Sequence, residues 1–219
     1  MGTSNWQNIS YCVELIRRIN PKTILDVGVG FGRWGILCRE FLEVWGGKVH
    51  QKDWTLQIDG IEVFPGNIQD YHKYFYSKII VADAYKYISE KDVHYDLMIF
   101  GDVLEHFEKT MAIKLLEIAL NKSKFVLLNI PIGKYWKQNE LYGNKHEEHL
   151  SFWSMSELKK IGPIEYSVYR DEIHRKFATF LFSDEYDKTP NRLSIRTKLA
   201  LVLTQYPDLK NLLKKLIQK

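Results

Sequence analysis

The stretch that most constrains this chain is residues 24–35, Ile-Leu-Asp-Val-Gly-Val-Gly-Phe-Gly-Arg-Trp-Gly. Residues 24–27 are a short apolar run of the kind that becomes a buried strand. Gly28, Gly30 and Gly32 follow at alternate positions, and a helical pattern then begins with Trp34, Ile36, Leu37, Phe41 and Leu42. Strand, glycine-rich turn and helix form the first unit of a nucleotide-binding open α/β sheet. Glycine suits such a turn because it is tight and its backbone must approach a ligand where a Cβ would clash.

Two registers overlap here. Gly30 to Gly35 reads G-x-G-x-x-G, the dinucleotide fingerprint, whereas Asp26 to Gly32 reads D-x-G-x-G-x-G. A carboxylate beside the turn competes with a pyrophosphate for one site. It suits a ligand that carries an ammonium and no phosphate.

At 219 residues the chain is one domain, with room for an appendage. Hydrophobic residues make up 45% and charged residues 26%, enough to bury an ordinary globular core. A net charge of +4 does not point to a nucleic-acid partner. Cys12 and Cys38 each fall in a predicted helix, which indicates reduced thiols in a cytoplasmic protein and no cysteine-based zinc site. The first residues lack a basic region followed by an apolar run, so no secretory signal is expected, and no stretch has the apolar length of a membrane span.

A first helix capped by Ser4 or Asn5 and running to about Ile19 is expected from Ile9, Cys12, Val13, Ile16 and Ile19, with Pro21 as its stop. The helix after the glycine turn should reach about Trp45. Residues 46–57 are longer than a compact connection needs and read as an extra substrate-side loop or a surface excursion. Further strands are expected at 57–63, 79–82, 95–100 and 124–130. An acid stands at three of their ends: Glu62, Asp83 (followed by Ala84) and Asp102 (preceded by Gly101). Residues 134–152 form a long polar and aromatic loop, the kind that is usually functional or disordered, and its Tyr, Trp and His residues favour function. Ser154 and Glu157 have capping-box spacing for a helix to about Ile161. Runs at 165–169 and 176–182 read as an antiparallel pair at the sheet edge.

Acids at successive strand tips of a βαβ chain describe an α/β, Rossmann-like, doubly wound and mostly parallel seven-stranded sheet closed by an antiparallel C-terminal hairpin strand. With these landmarks in order, residues 5–185 resemble a class I S-adenosylmethionine-dependent methyltransferase, with weaker similarity to bacterial members associated with surface polysaccharides. The resemblance rests on Asp26-Val-Gly-Val-Gly-Phe-Gly, Glu62, Asp83-Ala84, Gly101-Asp102-Val-Leu-Glu-His106 and Asn129-Ile-Pro131. It implies S-adenosyl-L-methionine as cofactor, with Gly28 and Gly30 under the methionine part and Asp26 organising the loop near the amino group. Glu62 would hold the ribose, Asp83 and Ala84 the adenine, and Gly101 and Asp102 would flank the sulfonium. On the acceptor side it implies His149 as a base with His106 and Glu105 beside it, removing a hydroxyl proton from a small-molecule or glycan acceptor. Asp102, Glu105, His106 and His149 also resemble the Glu-x-x-Glu-His metal set of some O-methyltransferases. Here the first acid is the shorter Asp, and the expected site contains no metal.

Two other classes remain open. One is an NAD-dependent oxidoreductase using the second glycine register, against which stand Asp26 and the absence of Lys four residues after Tyr135 or Tyr142. The other is a non-catalytic cofactor-binding scaffold whose working part is the C-terminal tail. A methyltransferase domain of residues 1–185 and a basic amphipathic helical tail of residues 186–219 are expected. Residues 190–219 hold seven Lys or Arg against one Asp, with Leu209, Leu212, Leu213, Leu216 and Ile217 on one helical face. Such a helix suits packing on its own domain, homodimer formation or peripheral contact with an anionic membrane.

Overall fold

The computed structural model describes residues 4–183; the tail of residues 186–219 and its predicted boundary lie outside the described residues. Seven strands form one sheet in the order β3-β2-β1-β4-β5-β7-β6. The strands are β1 (Thr23–Val27), β2 (Gln57–Glu62), β3 (Lys78–Val81), β4 (Tyr95–Gly101), β5 (Ser123–Ile132), β6 (Glu165–Arg170) and β7 (Lys176–Phe182). The pairs among β1 to β5 are parallel. β7 runs antiparallel to both β5 and β6, so it is the one reversed strand and β6 forms the edge. The predicted mostly parallel sheet with its terminal hairpin is therefore present.

Side-chain alternation sends successive residues to two cores. Leu25, Val27, Met98, Phe100, Val126 and Leu128 pack under α4 (Ala84–Glu90), α5 (Lys109–Lys122) and α6 (Met155–Ile161). Ile24, Leu97, Ile99 and Leu127 face α1 (Ile9–Ile19) and α2 (Arg33–Arg39). Both faces of the central strands are thus apolar, as a parallel sheet covered on two sides requires. The capping box of α6 forms as its spacing predicts, with Ser154 and Glu157 satisfying each other's backbone N–H groups.

Two helix ends differ from the sequence reading. α1 begins at Ile9 rather than beside Ser4 or Asn5, and Asn8 at its start makes no side-chain cap. The Asn8 amide instead donates to Asn129 Oδ1 and Thr179 Oγ1, 2.8 and 3.2 Å away in the core. Ser4 and Asn5 serve another purpose, since their carbonyls accept from Arg33 at 2.8 and 2.6 Å. The helix expected to reach Trp45 is α-helical only through Arg39 and continues as one π-helical turn, Glu40–Val44. Within that turn Glu43 is buried. Its carboxylate accepts from Arg39 and from the N–H groups of Thr55 and Leu56. These bonds fasten the end of residues 46–57, where the chain enters β2, to the π-helical turn, opposite the strand tips that carry the acids. None of those residues lines the main cavity, so they form a surface excursion.

Beneath the glycine turn, α3 (His72–Phe75) leads to Tyr76, whose ring fills the space left by two glycines. A Cβ on Gly35 would lie 2.4 Å from Tyr76 Cζ, and one on Gly60 would lie 3.2 Å from Tyr76 Cδ1. The third glycine of the dinucleotide register therefore makes room for a phenol inside the fold. Gly35→Ala should lower stability by about 1–3 kcal/mol through overpacking. A reduced urea midpoint at unchanged slope would be the signature, and a wild-type midpoint would show that the Tyr76 contact is not limiting.

Candidate active site

The carboxyl ends of β1, β2, β3 and β4 open into one cavity of about 560 Å³. Gly28, Gly30, Glu62, Asp83, Ala84, Gly101, Asp102, Glu105, His106 and His149 all line it. Of the residues given a role in the expected site, only Asp26 does not. The arrangement follows from topology, because parallel strands deliver their ends to the same side of the sheet and the switch between β1 and β4 leaves a crevice there.

At one end, Glu62 is buried and holds the glycine turn. Its Oε2 accepts from Gly30 N–H at 2.9 Å and its Oε1 from Phe64 N–H at 2.9 Å. Each carboxylate oxygen has a second lone pair to offer a ligand hydroxyl. Gly28 has φ of 76°, and a Cβ there would lie 2.7 Å from Val103 Cγ2, so both conformation and space require glycine. Asp83 caps α4 by accepting from Lys86 N–H at 2.8 Å. It sits at the β3 end beside Ala84.

Asp26 lies in the core beneath this floor. Its Oδ2 accepts from Tyr76 Oη at 2.5 Å, while its Oδ1 has no partner among the described residues. Burial, opposed by the Tyr76 bond and assisted by the Glu62 charge, raises its pKa to about 8. Asp26 thus acts from below the loop, and its side chain does not face the cavity.

Asp102 turns the chain with φ of 58°, a left-handed value that Asp tolerates better than most residues. Burial raises its pKa, opposed by a bond from Ser4 and by the Arg33 charge. The turn of 3₁₀-helix that follows, Leu104–His106, carries Glu105 and His106 into the cavity. Glu105 is 1% exposed and its Oε2 has no partner among the described residues. Burial, reinforced by Asp102, holds its pKa well above the usual carboxylate range.

The loop of residues 134–152 supplies the opposite wall. Its end is pinned where the Glu105 carbonyl accepts from Leu150 and Ser151 N–H at 2.8 and 3.0 Å. This bond brings two distant histidines together, with ring centroids 4.9 Å apart and planes at 70°. His106 Nδ1 lies 3.0 Å from the Glu148 carbonyl, and His149 Nδ1 bonds the Trp136 carbonyl. A carbonyl only accepts, so both rings carry a proton on Nδ1, and the neutral His149 ring leaves Nε2 proton-free. Burial lowers both pKa values; that of His149 falls to about 4, with the neighbouring His106 as the second cause. One ligand atom from each of Glu105, His106 and His149 lies within 4.8 Å of the others.

Sequence reasoning missed Trp136, Tyr76 and Arg175 as parts of this region. Trp136 was only one of several aromatic residues in a loop, and Arg175 lies in a turn that pattern alone does not connect to the cavity.

No protein-family model and no curated protein matches the sequence. Solved structures do match the fold. The methyltransferase domain of a bacterial Hen1 is 16% identical, with 81% of this chain and 97% of that chain covered and a TM-score of 0.51. The N-terminal domain of EvdMO1, solved in the presence of SAH and D-fucose, is 14% identical over 82% of this chain and 84% of that one, with a TM-score of 0.53. A putative O-methyltransferase from Klebsiella pneumoniae is 12% identical over 84% and 83%, with a TM-score of 0.55. The fold is therefore that of the class I methyltransferases, with the reversed β7 between β5 and β6. No helix among the described residues is long and apolar enough to cross a membrane.

The raised pKa of Asp26 has a consequence for the apoprotein. Between the unfolded value of 3.8 and the folded value of about 8, the unfolded chain is ionised while the folded carboxyl keeps its proton. Its contribution to stability is complete below the lower value and is lost as pH rises through the upper one. Asp26→Asn should remove this dependence. In urea titrations at pH 5 and pH 9, the variant should gain on wild type at the higher pH; parallel profiles would overturn the assignment.

Proposed function

We propose that this chain binds S-adenosyl-L-methionine and transfers its methyl group to a hydroxyl of a small molecule or glycan, as an enzyme of the methyltransferase class. The observation that carries the reading is one cavity that joins the Glu62–Asp83 end to the His106–His149 end. Glu62 would bind the ribose, Asp83 and Ala84 the adenine, and Gly28, Gly30, Gly101 and Asp102 the amino-acid and sulfonium region. Asp26 would act indirectly by setting the glycine loop. The fold supports this reading over an NAD-dependent oxidoreductase, because a reversed strand replaces the sixth parallel strand of the usual dinucleotide sheet.

The cofactor supplies an already activated methyl carbon, so the protein's part is placement and proton removal. His149, with Nδ1–H fixed on Trp136 O, would present Nε2 to the acceptor hydroxyl and take its proton as the methyl–oxygen bond forms. His106 would orient the acceptor from the facing side. Glu105, kept toward its neutral form, adds no anion that would repel a developing alkoxide.

A second reading rests on the orphaned Glu105 Oε2 and the close approach of Glu105, His106 and His149. One oxygen and two imidazoles are a suitable donor set for a divalent ion, which would lower the acceptor's hydroxyl pKa.

Calorimetric titration separates the classes. S-adenosylmethionine should bind, NAD should not, and Glu62→Ala should weaken binding by roughly ten- to hundredfold, the worth of a charge-assisted bond. Binding of NAD alone would reject the methyltransferase reading, and cofactor binding without turnover in an acceptor screen would favour the scaffold. With an acceptor in hand, His149→Ala should lower kcat by about 10²–10⁴-fold at unchanged cofactor affinity. Chelator treatment then decides between the two readings: unchanged turnover supports the base alone, and turnover lost to chelator and restored by Mg²⁺, Mn²⁺ or Zn²⁺ supports the metal.

A further inference from the structure

The hairpin turn after β6 contributes one cation to the acceptor end of the cavity, Arg175. Its guanidinium carbon lies 3.9 Å from the centre of the Trp136 ring. Its Nε donates to Asp171 Oδ2 at 2.7 Å, and Asp171 is itself held by N–H bonds from Ile173 and Arg175 to Oδ1. Trp136 is fixed in turn, because its Nε1–H donates to the Lys176 carbonyl at 2.7 Å. Asp171, Arg175, Trp136 and His149 therefore form one connected unit, with His149 bonded to the Trp136 carbonyl.

Among the described residues only the Nε edge of Arg175 is used. Among the described residues its Nη1 and Nη2 groups make no hydrogen bond, although the side chain lines the cavity. The other arginine at the cavity, Arg33, is committed to the carbonyls of Ser4 and Asn5. A guanidinium held over an indole ring, with one edge neutralised by a buried carboxylate and the other edge open, is built for bidentate recognition of a planar or tetrahedral oxyanion.

From this geometry we infer that Arg175 is the specificity residue for an anionic acceptor, which presents a carboxylate or phosphate to the open guanidinium edge while its hydroxyl faces His149. The inference deepens the methyltransferase reading and rests on it for the word acceptor. Neutral acceptors of similar shape would leave the guanidinium edge without its charge-assisted bonds.

The test uses the full chain labelled with ¹⁵N-arginine and follows the side-chain Nε signals, with Arg175→Gln identifying the Arg175 resonance. Sodium phosphate, sodium acetate and neutral acetamide are titrated at constant ionic strength. The Arg175 signal should shift saturably with phosphate or acetate and not with acetamide, at least about tenfold more tightly than any other arginine. Which anion binds more tightly separates phosphate from carboxylate as the recognised group. A shift at Arg175 no stronger than at the surface residues Arg17 and Arg18 would overturn the inference. Calorimetry with S-adenosylhomocysteine is run on the same sample. Cofactor binding without the Arg175 shift rejects this inference alone, whereas the shift without cofactor binding keeps the oxyanion site and rejects its role as an acceptor subsite.

Discussion

The site depends on how a glycine-rich turn with little side chain of its own is held still. Glu62 solves this from the tip of the neighbouring strand, by accepting from the Gly30 and Phe64 N–H groups. Tyr76 solves it from below, where its hydroxyl lies between Asp26 and the Gly35 N–H. Two backbone segments that would otherwise be free to flex are thereby fixed to β2 and to the residue after α3. A turn without Cβ atoms offers its backbone to a ligand, and it keeps one shape only because neighbouring side chains support it.

A second constraint assembles the opposite wall. The Glu105 carbonyl receives two N–H groups from the end of the long loop, and the Gly133 N–H donates to the Trp153 carbonyl at 2.8 Å. The loop is therefore closed at both ends against the sheet. Its histidine meets His106 at a fixed angle, and its tryptophan supports Arg175. The histidine end of the cavity is a composite of the β4 tip, the loop and the hairpin turn, three segments that are far apart in the chain.

This division explains what the sequence made legible. The strands, their order along the chain and the acids at their ends are local signals, since a parallel strand is an apolar run and its last residue faces the crevice by topology. The same holds for the capping box at Ser154. The placement of the Asp26 side chain was not legible, because whether a strand-end acid faces the cleft or the core depends on a tyrosine 50 residues away. The start of α1 was likewise not legible at Ser4 or Asn5, because the helix begins at Ile9 and Asn8 turns its amide inward to Asn129 and Thr179. Arg175 carried no local mark at all. Its position is set by Trp136 in another loop, and pairings of that kind are decided by tertiary packing.

The closed loop also bears on how this site could change over time. Tyr135 and Tyr142 are 87% and 74% exposed, Tyr142 at the rim of the cavity, and among the groups that tie the loop down are backbone atoms at its two ends. Substitutions on the rim leave those anchors intact, because a carbonyl or an N–H survives almost any change of side chain. The loop thus separates inheritance of the chemical groups from inheritance of the outer contact surface. Lineages descended from such a chain could diversify what they recognise by drift at the rim, without first passing through forms that have lost the fold.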